Sequence, residues 1–149
     1  MNIMDFQLAE IDVSYSHRVS VNNRIKISSS SDVCATARLF WPGYDHVEYF
    51  YALYLNRNNQ VLGNHLISKG GFTGTVIDIR VIFQVALKVC ATSIICLHNH
   101  PSGNLSPSDC DISVTKKIKS AAELLDISLL DHLIITSESF YSFADNGDI

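Results

Sequence analysis

Two histidines separated by one residue, His98 and His100, stand in the most informative stretch of the sequence. They close an apolar, β-branched run that begins at Ser93 and is typical of a buried strand. Side chains two residues apart on a strand point to the same side, and Pro101 favours an extended backbone at His100. Two imidazoles held close together in this way suit zinc, so the pair predicts a metal site.

The third ligand is expected on a helix that follows the histidines. Ser106 is predicted as its N-cap, with Pro107 at the first helical position and Asp109 completing a capping-box-like pattern. Asp111 is left without such a structural role. It lies three residues after Ser108, so the two share a helix face that can turn toward the histidines. We therefore predict Asp111 as the third ligand and Asp109 as a cap.

Two histidines and one carboxylate leave one zinc position open for water, as in a catalytic rather than a structural site. The metal would lower the pKa of that water to roughly 7 and so supply a hydroxide nucleophile. Ser108 is predicted to donate a hydrogen bond to a developing oxyanion. Glu48 is the best candidate for the general base, because it opens an apolar strand that is expected to neighbour the strand of the histidines.

Each of these residues also has a purely structural interpretation. A single histidine in an apolar run is usually a packed residue, and Glu48 could be a charge at a strand edge. His132 follows Asp131 in another apolar run and is interpreted as an interior histidine satisfied by hydrogen bonds, with a role behind the metal ligands as the alternative. The joint occurrence of His-x-His, a Pro-Ser-Gly loop and a correctly spaced Ser and Asp favours the metal site.

The elements that must position this site follow from periodicity and turn residues. A short helix is expected before Pro42, and a second helix is expected from an Asp78 cap to about Ala91. A third, longer helix is expected over about residues 107–125. The predicted strands cover residues 48–55, 60–68, 93–98, 127–136 and 141–143. This order predicts an α/β fold in which a single mixed β-sheet is flanked by helices.

Composition limits the class of protein. With 149 residues, 47% of them apolar and 17% charged, the chain is expected to form one ordinary globular domain. The net charge of −4 disfavours direct nucleic-acid binding, which usually needs a basic surface. Neither a secretory signal at the N-terminus nor a membrane-spanning stretch is recognisable. We expect a soluble, cytoplasmic protein whose oligomeric state the sequence leaves open.

The combined motif resembles one that is already known. The pattern of Glu48, His98-x-His100, seven residues and Ser108-x-x-Asp111 is similar to the JAMM motif of JAB/MPN metalloproteases. The strings EYFYALYLNRNNQVLG, HNHPSGNLSPSDCD, LLDHLIIT and YSFAD resemble the bacterial RadC-like branch of that family. The likeness covers about residues 45–147. It divides the chain into a variable lead-in with a short helix packed on the domain, 1–44, and a RadC-like JAB/MPN domain, 45–149.

The resemblance implies a cytidine-deaminase-like fold, one zinc ion, and peptidase or isopeptidase chemistry on a peptide or protein substrate. In that function Glu48 would shuttle the proton and Ser108 would stabilise the tetrahedral intermediate. RadC-like proteins are traditionally labelled as DNA repair proteins, so a non-catalytic, accessory module in DNA repair or mobile-element biology is the alternative. A zinc deaminase is disfavoured, because the sequence has no PCxxC signature.

Overall fold

The computed structural model describes residues 9, 11–70 and 76–149. Residues 1–8 and 10 of the predicted lead-in lie outside these ranges. Within them the chain forms a 3-10 turn (Val21–Asn23), α1 (Ser30–Ala37), β1 (Tyr49–Leu55), β2 (Val61–Lys69), α2 (Ile79–Lys88), β3 (Ser93–Asn99), α3 (Asp109–Leu124), β4 (Ser128–Ile135) and β5 (Phe140–Ser142).

The strands form one mixed sheet in the order β2-β1-β3-β4-β5. Strand β1 runs antiparallel to both β2 and β3, β3 and β4 are parallel, and β5 returns antiparallel to β4. The predicted α/β fold with a single mixed sheet is therefore confirmed. Strand β3 is central, and all seven of its residues are buried. Polar side chains on this strand must consequently find partners inside the protein.

Alternation along β3 divides the core into two layers. Ile94 and Cys96 belong to a cluster with α2 and α3, whereas Ile95 and Leu97 belong to a cluster with α1 on the other face. Because the side-chain period of a strand is two, His98 continues the first series and faces α3. The sheet thus lies between helices on both faces, and the first predicted metal ligand is directed into the layer that holds α3.

Helix boundaries follow local capping chemistry. Asp78 caps α2 as predicted, since its side chain accepts a hydrogen bond from the backbone N–H of Arg80 at 3.0 Å. The helix ends at Lys88, before the predicted end at Ala91. Cys90 has a φ of 54°. This left-handed conformation does not continue a right-handed helix, so the chain turns away there.

Buried Asp131 on β4 secures the end of the domain. Its Oδ1 accepts the backbone N–H groups of His132 at 2.7 Å and Ala144 at 3.0 Å, and its Oδ2 accepts the Ser142 hydroxyl at 2.6 Å. Burial raises the pKa of this carboxyl, and the three hydrogen bonds oppose that rise. The carboxylate therefore binds the segment after β5 to β4, which holds Phe143 in the core.

Replacing Asp131 with alanine is expected to lower the free energy of unfolding by about 1–3 kcal/mol, because it leaves a buried N–H and a buried hydroxyl without an acceptor. Urea unfolding of the metal-free protein measures this change. Glu138→Ala removes an exposed carboxylate between β4 and β5 and is the matched control. A surface substitution of this kind should alter stability by less than about 0.5 kcal/mol. Equal midpoints for both variants would contradict the assigned role.

Candidate metal centre

Three predicted ligands meet at one point. His98, His100 and Asp111 each offer one ligand atom, and these atoms all lie within 4.8 Å of one another. The His98 Nε2 atom is 3.1 Å from Asp111 Oδ1, and the His100 Nε2 atom is 3.3 Å from Asp111 Oδ2. The two Nε2 atoms are 3.0 Å apart. The end of β3 and the start of α3 therefore form a cluster that can hold a metal ion.

The spacing of these atoms fits a metal. Tetrahedral zinc with Zn–N bonds of about 2.0–2.1 Å would hold two nitrogens roughly 3.3 Å apart. The separations of 3.0–3.3 Å are close to that value. The His100 Nδ1 atom lies 2.6 Å from the backbone carbonyl oxygen of Asn104, which can only accept. A neutral His100 therefore carries its proton on Nδ1 and presents the Nε2 lone pair to the cluster.

The charges at the cluster are also those of a cation site. Burial by itself would raise the pKa of Asp111, but hydrogen bonds from His100 and His98 outweigh burial and hold this pKa well below its ordinary value. The hydrogen bond with Asp111 raises the pKa of His100 against the effect of burial, and the Glu48 charge adds to the rise. The carboxylate is therefore ionised near neutral pH and supplies the negative charge that a divalent cation requires.

The start of α3 differs from the prediction. Ser108, not Ser106, is the N-cap, and Asp111, not Asp109, closes the capping box at the third helical position. The Ser-x-x-Asp pattern occurs twice, at 106–109 and at 108–111, and local chemistry permits either choice. The second choice lets Asp111 Oδ2 accept the Ser108 N–H at 2.7 Å while the same carboxylate faces both histidines. Asp111 thus has the structural role that the prediction denied it.

Glu48 lies beside this cluster, immediately before β1. Phe50 pairs with His98 across β1 and β3, so continuing the register places Glu48 opposite His100. The backbone carbonyl of Glu48 accepts the N–H of Gly70 at 2.8 Å. The side chain is half-buried and its charge acts on His100. The predicted base therefore shares one wall of the site with a predicted ligand.

A cleft of about 1190 Å³ opens over the cluster. Ser108 is exposed in its wall, and the Ser108 Oγ atom accepts the backbone N–H of Asp111 at 3.1 Å. This bond uses an oxygen lone pair and leaves the hydroxyl proton free to donate into the cleft. Lining residues from four parts of the chain include His46, Glu48, Ile77, Ile79, His100, Asn104, Ser108, Asp111, Val114 and Lys117.

Asn99 was missed by the sequence analysis, although it stands between the two histidines. It is fully buried; its Oδ1 accepts the backbone N–H of Tyr49, and its Nδ2 donates to the carbonyls of Tyr44 and Val47, at 2.8–2.9 Å. The amide therefore ties the segment that carries Glu48 to β3. The available signal was a polar amide in a strand expected to be buried, since such a group requires partners.

His132 is fully buried and satisfied by hydrogen bonds, as the preferred interpretation predicted. Its Nε2 lies 2.8 Å from His98 Nδ1, and its Nδ1 lies 2.6 Å from the Thr115 hydroxyl. Phe143 stacks on the His132 ring at 4.8 Å between centroids, and Phe50 stacks on His98 at 5.9 Å. The histidine pair is thus enclosed by aromatic rings, and one partner of His132 is a predicted ligand.

Comparison with known proteins adds the family. The sequence model of the family described as the RadC-like JAB domain matches residues 27–148. The chain belongs to the RadC-like JAB domain family. Its match starts within the segment predicted as a lead-in, and the five-stranded mixed sheet with three helices is consistent with a JAB/MPN domain. The boundary at residue 45 remains a prediction.

Two relatives in this family are each named UPF0758 protein. The one from Flavobacterium johnsoniae is 47% identical over 122 residues, which cover 82% of this chain and 53% of the relative. The one from Bacillus cereus (strain 03BB102) is 39% identical over 132 residues, which cover 89% of this chain and 58% of the relative. The chain thus spans little more than half the length of these relatives. Among its described helices, none is both long and apolar enough to cross a membrane.

The metal-binding prediction is tested by zinc content after reconstitution and gel filtration. The wild-type chain should retain one zinc ion, whereas His100→Ala and Asp111→Asn should retain almost none, because each loses a ligand. Asparagine at 111 can still accept the Ser108 N–H, so the helix cap is kept. Asp109→Asn changes the exposed acid two residues earlier and should bind zinc like the wild type. Near-zero zinc in both the wild type and His100→Ala would exclude the site.

The role of Asn99 is tested by amide hydrogen exchange. Asn99→Ala should accelerate exchange at the Tyr49 N–H by at least about tenfold, because that group loses its acceptor and the preceding segment loses two bonds. Asn64→Ala, at an exposed position on β2, serves as the control and should leave Tyr49 unchanged. Unchanged exchange in Asn99→Ala would show that the amide does not hold this segment.

Proposed function

We propose that the chain is a zinc-dependent metallohydrolase of the JAMM type, which cleaves peptide or isopeptide bonds with an activated water. The observation that supports this most directly is the meeting of His98, His100 and Asp111 beside a cleft that His100 and Asp111 line. Glu48 and Ser108 line the same cleft, so the groups that such a reaction needs surround one point. Membership of the RadC-like JAB domain family agrees with this chemistry.

The donor set favours zinc among the common metals. Imidazole nitrogens suit zinc and other transition metals, whereas magnesium and calcium prefer oxygen ligands throughout. Zinc held by two histidines and one aspartate would keep a position for water and lower the pKa of that water to about 7. The capping box and the Asn104 carbonyl orient Asp111 and His100 before any metal arrives. The site is therefore organised by the fold itself.

Glu48 is proposed as the proton carrier. Its carboxylate would accept a proton from the attacking water and pass it to the leaving nitrogen, which would otherwise depart as an unstable amide anion. The position opposite His100 places the carboxylate on the cleft wall, and the Asn99 hydrogen bonds fix the backbone just after it. A general base of this kind must be held in place, because proton transfer depends strongly on distance.

Ser108 is proposed to stabilise the developing oxyanion. Its Oγ is oriented by the N–H of Asp111, and the hydroxyl proton is free for the carbonyl oxygen of the scissile bond. The N-terminus of α3 adds a partial positive charge beside the same point. Hydrogen-bond donors oriented before the reaction stabilise the transition state without a cost of reorganisation.

The proposed substrate is a peptide or protein. The cleft combines apolar walls from Ile77, Ile79 and Val114 with polar groups at its floor, an arrangement that suits a polypeptide segment. The net charge of −4 disfavours a nucleic acid in that position. We further propose a cytoplasmic location. The proposal concerns the domain that this chain shares with its longer relatives, which is little more than half of their length.

The proposal predicts that Glu48→Gln keeps zinc and loses hydrolysis. Cleavage of a mixed library of peptides and lysine-linked isopeptides, followed by mass spectrometry, should fall about 10²–10⁴-fold, because the glutamine cannot accept the proton. Zinc content should equal that of the wild type. Asp109→Asn again serves as the control and should cleave normally.

Equal cleavage by wild type and Glu48→Gln would contradict the assigned base. A zinc-loaded wild type that cleaves no member of the library would contradict the proposed hydrolase. If Glu48→Gln keeps the biological function in cells while the ligand variants destroy it, the accessory, non-catalytic role is the correct one.

A further inference from the structure

A chain of buried hydrogen bonds leads from α3 to the predicted ligand His98. It begins at the backbone carbonyl of Asp111, 2.6 Å from the Thr115 hydroxyl. It continues from that hydroxyl to His132 Nδ1 at 2.6 Å and from His132 Nε2 to His98 Nδ1 at 2.8 Å. The other ring nitrogen of His98 faces Asp111 Oδ1 at 3.1 Å, so the path closes on the residue where it began.

The direction of every bond in this chain is determined by its first member. A backbone carbonyl can only accept, so Thr115 donates its single hydroxyl proton to Asp111. The Thr115 oxygen must then accept from His132 Nδ1–H. A neutral His132 with its proton on Nδ1 can only accept at Nε2, and His98 must donate its Nδ1–H there. In a neutral His98 the remaining nitrogen, Nε2, consequently carries a lone pair.

His132 is neutral for a physical reason. It has no exposed surface, and Phe50 and Phe143 pack against its ring. A charged ring in this position would lose its hydration water, so burial favours the neutral imidazole. The carboxylate of Asp131 accepts the backbone N–H of His132. The ring itself is hydrogen-bonded to Thr115 and His98. A charged imidazolium, which would reverse the bond between His132 Nε2 and His98 Nδ1, is therefore strongly disfavoured.

We propose that Thr115 and His132 are positioning residues that form a hydrogen-bond relay, which fixes His98 as its Nδ1–H tautomer with Nε2 directed at the metal position. The inference rests on the metal site of the proposed function and explains how one ligand is prepared for it. His100 obtains the same tautomer from the Asn104 carbonyl in the exposed loop. His98 obtains it from α3, the helix that also supplies Asp111.

Two pairs of variants separate the relay from simple packing. Thr115→Val keeps the shape of the side chain and removes the hydroxyl, whereas Thr115→Ser keeps the hydroxyl. His132→Leu fills similar space without polar atoms, whereas His132→Gln can accept from His98 with its oxygen and donate to Thr115 with its nitrogen. Zinc dissociation constants from competition with a chromophoric chelator should rise about 10–100-fold for the valine and leucine variants. The serine and glutamine variants should stay nearer to the wild type.

The tautomer itself is measured by the ¹⁵N chemical shifts of the imidazole nitrogens in the wild-type chain, both metal-free and zinc-loaded. We expect protonated Nδ1 at His98 in both forms and unprotonated Nε2 in the zinc-loaded form. An unprotonated Nδ1 at His98, or a folded Thr115→Val variant with wild-type zinc affinity, would overturn the relay. If the valine variant does not fold, the wild-type spectra decide the question. A wild type that binds no zinc overturns the proposed function, while the metal-free spectrum still tests the relay.

Discussion

The carboxylate of Asp111 performs two tasks that are usually given to different residues. One oxygen accepts the backbone N–H of Ser108 and so starts α3, while the carboxylate as a whole faces the two histidines. The helix therefore begins beside the predicted metal position, and the capping box fixes the Asp111 side chain relative to the helix axis. Burial of this group is tolerated because the Ser108 N–H and the two neighbouring histidine rings offset the loss of water.

Placing the motif on the central strand creates a second constraint. Every residue of β3 is buried, so the polar residues at its end must be satisfied by the protein. Alternation sends His98 toward α3 and Asn99 toward the opposite face, where it binds the carbonyl of Tyr44. His98 thereby takes part in the candidate metal cluster, and Asn99 holds the segment that carries Glu48. The requirement that buried polar groups be hydrogen-bonded thus accounts both for the contacts of His98 and for those of Asn99.

Much of the site could be predicted because its residue types are distinctive. Two histidines at strand spacing, followed by Ser-x-x-Asp, indicated the three ligands that the structure brings together. The cap was predicted wrongly because Ser-x-x-Asp occurs in two overlapping registers, and the energies of the two caps are similar when considered locally. In the structure α3 starts in the later register, in which Asp111 also faces the two histidines. Thr115 and His132 gave no local signal of their pairing, since their partners lie on elements that only folding brings together.

The sequence by itself determined which three residues form the candidate metal cluster, the order of strands and helices along the chain, and the single mixed sheet, because these follow from residue chemistry and short-range periodicity. Only the tertiary structure decided which serine starts α3, which face Asn99 takes, and which nitrogen of His98 is protonated. The physical reason is that a hydrogen bond depends on both partners and on the absence of competing water. Thr115 lies on α3 and His132 on β4, and only the fold places them in contact inside a dry core.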